Sequence, residues 1–121
     1  MNILIADDSK MARKIVIKTL NDLLVDKKFD IYEACNGEEA LQIYINNNIN
    51  IVFLDLTMPV MDGFEALKRI KEYDKSAKIV VVSADIQKVS MDKVRELGAI
   101  DFIKKPINCD KVKLILNKIF N

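Results

Sequence analysis

Short apolar runs alternate along the chain with longer segments of helical spacing. The runs are Ile3-Leu4-Ile5-Ala6, Ile31-Tyr32-Glu33-Ala34, Ile51-Val52-Phe53-Leu54, Ile79-Val80-Val81-Val82 and Phe102-Ile103. They are strand-sized and rich in β-branched residues. Between them, Lys10 to Leu24 puts Ala12, Ile15, Val16, Thr19, Leu20 and Leu23 on one helical face. Gly37 to Asn47 does the same with Ala40, Leu41 and Tyr44, and Phe64 to Glu72 with Leu67 and Ile70. Ile86 to Leu97 carries Val89, Met91 and Val94, and Gly98 is placed to end it. A last helix, with Asn108 as its cap, carries Val112, Ile115, Leu116 and Ile119. Five strands alternating with five helices predict an α/β fold around a parallel sheet. Ile51–Leu54 and Ile79–Val82 are apolar without alternation, as strands covered on both faces are.

No linker, repeat or low-complexity block interrupts the pattern. The expectation is one domain over residues 1–121 with no output domain. A chain of 121 residues buries enough surface to need neither disulfides nor structural zinc. A net charge of +1 builds no field for nucleic acid or anionic lipid, so neither is an expected partner. No apolar run approaches the ~18 residues of a membrane span, and no secretory signal opens the chain. Cys35 and Cys109 form no metal-spaced motif, which fits a reduced cytoplasmic protein. There is no histidine, which removes Ser-His-Asp and Cys-His catalysis and the usual zinc sites.

Function in such folds collects at the carboxyl ends of the strands. The first run ends in Asp7-Asp8, the third in Asp55, the fourth in Ser83-Ala84 and the fifth in Lys104-Lys105-Pro106. A parallel sheet would bring these onto one rim. Like-charged carboxylates at ~4 Å cost about 4 kcal/mol per pair at an effective dielectric near 20. One lysine does not balance three acids, so the cluster calls for a cation. All-oxygen donors favour Mg²⁺ or Ca²⁺, and a small open site that later takes phosphate oxygens favours Mg²⁺. Asp55 can then act as a nucleophile on phosphorus, with Lys105 and the Ser83 hydroxyl on the transferred oxygens. Taken singly, each residue has a plainer role: Asp7, Asp8 or Ser83 as a helix cap, Lys105 as a solvated lysine.

The segments Ile5-Ala6-Asp7-Asp8-Ser9 with Arg13, Ala34 to Leu41, Asp55-Leu56-Thr57-Met58-Pro59-Val60-Met61-Asp62-Gly63, Val82-Ser83-Ala84, Leu97-Gly98-Ala99 and Phe102 to Pro106 resemble the receiver domains of bacterial two-component response regulators. The likeness is to the single-domain chemotaxis and phosphorelay types. It implies a flavodoxin-like, doubly wound sheet in the order 2-1-3-4-5. It implies Asp55 as phospho-acceptor, and Mg²⁺ held by Asp7, Asp8, Asp55 and the backbone carbonyl of Thr57. Lys105, which directly precedes a proline, matches the family lysine, and the Lys105–Pro106 bond would be cis. Ser83 and Phe102 match the switch positions. The implied donor is a sensor histidine kinase or histidine phosphotransfer protein, and the implied output is a downstream protein effector. The chain would be a monomer or a phosphorylation-dependent dimer, and a switch rather than a turnover enzyme.

A Mg²⁺-dependent phosphohydrolase with an Asp nucleophile is the main competing reading. It wants a second aspartate two residues on, where Thr57 stands. A flavodoxin-like cofactor site would need a Ser/Thr/Gly-rich loop after the first strand, where Asp7-Asp8-Ser9 stands. A receiver that no longer takes phosphate would not need the full set. Asp85 flanks the site either as a modulator of phosphoryl lifetime or as a helix cap. Met11 lies either on the rim or in the core, and Lys111, Lys113 and Lys118 read as a solvated face.

Overall fold

The computed structural model describes residues 1–84 and 87–120. In chain order the elements are β1 (Asn2–Ala6), α1 (Lys10–Leu23), β2 (Asp30–Ala34), α2 (Gly37–Asn46), β3 (Ile51–Asp55), α3 (Gly63–Tyr73), β4 (Ile79–Ser83), α4 (Lys88–Glu96), β5 (Asp101–Lys104) and α5 (Cys109–Phe120). The strands form one five-stranded sheet in the order β2-β1-β3-β4-β5, with all pairs parallel. The order runs outward in both directions from the β1–β3 pair, which is therefore the topological switch point.

Alternate strand residues face opposite layers. Ile3, Ile5, Ile51, Phe53, Val80, Val82 and Ile103 pack with Val16, Leu20 and Leu24 and with Val112, Ile115 and Leu116 of α5. Leu4, Ala6, Val52, Leu54, Ile79 and Val81 pack under α2, α3 and Val94 of α4. The central strands β3 and β4 are buried along their whole length, which explains their unbroken apolar runs.

The helix signals hold with small shifts. On α1 the buried stripe is Val16 and Leu20, continued four residues on by the C-cap residue Leu24. Ile15 is 47 % exposed, so the broader face expected from Ile15 and Thr19 is narrower in the fold. Met11 is 67 % exposed, which settles it on the surface. Ser9, Asn36 and Asp62 cap α1, α2 and α3 by accepting backbone N–H bonds from Ala12, Glu39 and Glu65. Gly98, at φ +102°, closes α4 through bonds from its own N–H to the Arg95 carbonyl and from the Ala99 N–H to the Val94 carbonyl. Asp85 and Ile86, named in the sequence reading, lie outside the described residues.

The Tyr44 hydroxyl ties α2 to the residue that caps α3 by donating to Asp74 Oδ2 at 2.7 Å. Burial, then the bond to Asp74, raises the Tyr44 pKa. The bonds from Tyr44 and Ser76 lower that of Asp74. A lowered Asp pKa gives stability that is present above its unfolded value of about 3.9 and lost as pH falls through the folded value. A raised Tyr pKa gives stability that is present below about 10 and lost as pH rises through the folded value. Tyr44→Phe should therefore cost about 1 kcal/mol in urea unfolding at pH 7. The deficit should shrink in acid below pH ~4. A deficit that does not change with pH would contradict the assigned bond.

Candidate functional site

Sheet register brings the strand-end residues together. Ala6 pairs with Leu54, so Asp7 and Asp55 leave adjacent strands side by side at the switch point. Asp55 pairs with Val82 and Ser83 with Lys104, which puts Ser83 and Lys105 on the same rim. The Lys105 N–H also donates to the Ser83 carbonyl at 2.8 Å, locking the ends of β4 and β5 together. The Lys105–Pro106 bond is cis, as the resemblance implied.

Carboxylate oxygens of Asp7, Asp8 and Asp55 lie within 4.8 Å of one another. Asp7 and Asp55 are 5 % and 6 % exposed, while Asp8 opens to solvent. Lys105 Nζ lies 2.7 Å from Asp7 Oδ2 and 3.6 Å from Asp55 Oδ1. Lys105 thus contacts Asp7 more closely than Asp55. Lys104 is exposed on the strand end. Burial raises the Asp55 pKa; the Asp7 charge adds to this and Lys105 works against it. Burial disfavours the Lys105 charge, but its bond to Asp7 and the charges of Asp55 and Asp7 outweigh that and raise its pKa. Three closely set carboxylates with one ammonium form an oxygen-donor set suited to a hard divalent cation.

The segments that carry these groups are pinned by backbone. Asp7 Oδ1 accepts the Ser9 N–H at 2.9 Å, and the Asp7 carbonyl accepts from Arg13 Nη1 at 2.7 Å. Arg13 Nε also pairs with Glu33 at 2.9 Å, which joins α1 to β2 behind the site. After Asp55, the Gly63 N–H donates to the Leu56 carbonyl at 2.9 Å, and a Cβ on Gly63 would run into the Asp55 carbonyl oxygen. No larger residue fits there without moving the end of β3. Between them, the Met61 N–H donates to the Pro59 carbonyl at 2.7 Å around Val60, whose φ is +67°. That is a γ-turn of the rare, strained kind, held by a β-branched residue. Thr57 is exposed at the start of this loop.

Phe102, on β5, pairs with Val81 of β4 and is half-buried. Ser83 is 4 % exposed. The expected residues Asp7, Asp8, Asp55, Ser83 and Lys105 therefore share one rim, with Thr57 beside it and Phe102 on the adjoining strand. Three features were not legible in the sequence. They are the double hold of Arg13, the turn at Val60, and Arg95, whose Cζ sits 5.0 Å from the Phe102 ring centroid. An arginine at the start of a helix gives no sign of such a hold, and nothing in the spacing of Arg95 and Phe102 marks a contact.

Residues 3–117 match the model of the response regulator receiver domain. The chain belongs to this family. It is 39 % identical over 120 residues to the chemotaxis protein CheY of Bacillus subtilis, covering 98 % of this chain and 97 % of that one. It is 31 % identical over 116 residues to sporulation initiation phosphotransferase F of the same organism, covering 96 % and 90 %. Among solved structures, CheY in the CheX-CheY-BeF3-Mg complex of Borrelia burgdorferi superposes with a TM-score of 0.84 at 37 % identity, covering 100 % and 90 %. The receiver domain thus sits among regulatory switches of two-component signalling, with chemotaxis and phosphorelay relatives. No helix among the described residues is long and apolar enough to cross a membrane.

The raised Asp55 pKa has a sign that can be tested. It favours the protonated form on folding, so in the metal-free chain the charged Asp55 costs stability as pH rises through its folded pKa. Asp55→Asn should raise the metal-free melting temperature at pH 7 by about 4 °C, on the order of 1 kcal/mol. The gain should fade as pH drops through the folded-state pKa of Asp55, because the wild-type carboxyl then becomes protonated. A loss of stability at pH 7 would show that Asp55 is held by favourable contacts instead.

Proposed function

We propose that this receiver domain is a phosphorylation switch that takes a phosphoryl group on Asp55 and hands a change of conformation to a protein partner. The observation that carries the reading is the rim itself: a buried carboxylate, two further acids, a lysine within 3.6 Å and a buried hydroxyl at adjoining strand ends.

An Asp55 oxygen attacks phosphorus in line with the leaving group. The new O–P bond forms as the bond from phosphorus to the donor breaks, and the electron pair leaves with the donor. The chain has no histidine, so a phosphohistidine donor belongs to another protein, a sensor kinase or phosphotransfer protein. The Lys105 ammonium, now on Asp7, is within reach of a phosphoryl oxygen on Asp55. The Ser83 hydroxyl can donate to another such oxygen. Mg²⁺, held by Asp7, Asp8, Asp55 and the Thr57 carbonyl, would supply the remaining neutralisation of charge. Attack of water on the phosphoryl group restores Asp55 and releases phosphate, so the chain resets without acting on outside substrates. The phosphohydrolase alternative gains no support, since Thr57 occupies the place of the general acid.

The partners follow by analogy with relatives: a histidine-phosphorylated donor, and either a chemotaxis-type effector or the next member of a phosphorelay. The test is an NMR titration with beryllofluoride and Mg²⁺. Shifts should begin at Asp7, Asp8 and Asp55 and reach Ser83 and Phe102 in the wild type, with Asp55→Asn silent. Equal shifts in Asp55→Asn would overturn the assignment. Mg²⁺ alone at a hundredfold over its Kd should stabilise the fold by about 2.7 kcal/mol; a flat melting temperature would remove the metal site. Lys105→Ala should blunt the beryllofluoride response more than Lys104→Ala, and the reverse order would show that Lys104 is the functional lysine.

A further inference from the structure

We propose that Arg95 is a positioning residue for Phe102, and that its guanidinium holds the ring in the unphosphorylated conformation and so sets how readily the switch is thrown. The proposal rests on the reading of Asp55, Ser83 and Phe102 given above.

Phe102 lies between two different environments. On its inner side, Phe102 and Ser83 line the same small cavity, of about 10 Å³, with Leu56, Val81, Met91 and Val94. On its outer side stands Arg95, with Cζ 5.0 Å from the ring centroid and a side chain 58 % exposed. A cation over an aromatic face at this range is attracted by the ring quadrupole. Asp92, whose Oδ1 lies 3.6 Å from Arg95 Nη1, forms an ion pair with the same guanidinium and helps to aim it. The backbone of Arg95 is fixed as well, because its carbonyl takes the Gly98 N–H bond that ends α4.

The cavity is too small to admit the ring while Ser83 and α4 stay where they are. A shift of Ser83 toward a phosphoryl group on Asp55 would vacate space on that inner side. The ring then has two competing destinations, the cavity and the guanidinium. Among the described residues of α4, Val94 is the one that is fully buried, and Gln87 gives the helix no side-chain cap. Arg95 therefore links α4 to the ring that lines the cavity with Ser83. An exposed contact of this kind biases a two-state equilibrium by about two- to fivefold. By linkage, its loss should tighten binding of whatever favours the other state by the same factor.

The test is calorimetric titration of the intact chain with beryllofluoride at saturating Mg²⁺. Arg95→Gln should bind about two- to fivefold more tightly than wild type. Loss of a positive charge alone would weaken binding of an anion, so a gain cannot come from the charge. Arg95→Lys, which keeps a cation over the ring, should stay close to wild type. In a Phe102→Leu background, Arg95→Gln should change nothing. Unchanged or weaker binding in Arg95→Gln, or an equal gain in the Phe102→Leu background, would overturn the proposal. Wild type that binds no beryllofluoride through Asp55 would instead overturn the phospho-acceptor reading, and the role of Arg95 with it.

Discussion

Three carboxylates and one ammonium meet at the carboxyl end of a parallel sheet, and two of the acids are almost out of water. Such a cluster is not stable for its own sake. Burial and the neighbouring Asp7 charge push the Asp55 pKa upward, and Lys105 relieves only part of that. The repulsion makes the site receptive to a cation. It also leaves Lys105 shared between two acids. The rest of the fold holds this cluster together. The register of β1 on β3 sets the aspartates side by side, the Lys105–Ser83 backbone bond adds the other half of the rim, and Arg13 with Gly63 keeps the strand ends from drifting apart.

The same register links the rim to the surface. Ser83 ends β4, Phe102 lies on the next strand, and the two line one cavity under α4. On the proposed reading, a change at Asp55 would reach the outside through one hydroxyl, one ring and one helix. A packed core responds to such changes in steps rather than by continuous deformation, which suits a switch with two states. Among the described residues of the helix at the end of that route, only Val94 is fully buried. Gln87, which precedes it, makes no side-chain cap, whereas the side chains of Ser9, Asn36 and Asp62 accept backbone N–H bonds at the starts of α1, α2 and α3.

The sequence carried the fold because each level agreed. The unbroken runs of β3 and β4 marked a sheet covered on both faces, and Gly98 marked the end of α4 at a position that needs positive φ. The site was legible because strand ends converge in a parallel sheet, so Asp7, Asp55, Ser83 and a lysine of Lys104-Lys105 could be gathered from their places in the chain, while the choice of Lys105 came from the resemblance. What stayed hidden depends on three-dimensional approach. The exposure of Ile15 is decided by how α1 rolls on the sheet. The closeness of Lys105 to Asp7 rather than Asp55 is decided by side-chain reach. The stacking of Arg95 on Phe102 joins two elements across a turn, and the left-handed backbone of Val60 runs against its own preference.

Every proposed role of the rim depends on where phosphate goes. The direct measurement is mass spectrometry of the intact chain and its peptides after incubation with a small phosphodonor and Mg²⁺. One added phosphoryl group, labile to hydroxylamine, located at Asp55 and dependent on Mg²⁺, is the predicted result. An unmodified chain, or a phosphoryl group on any other residue, would contradict it.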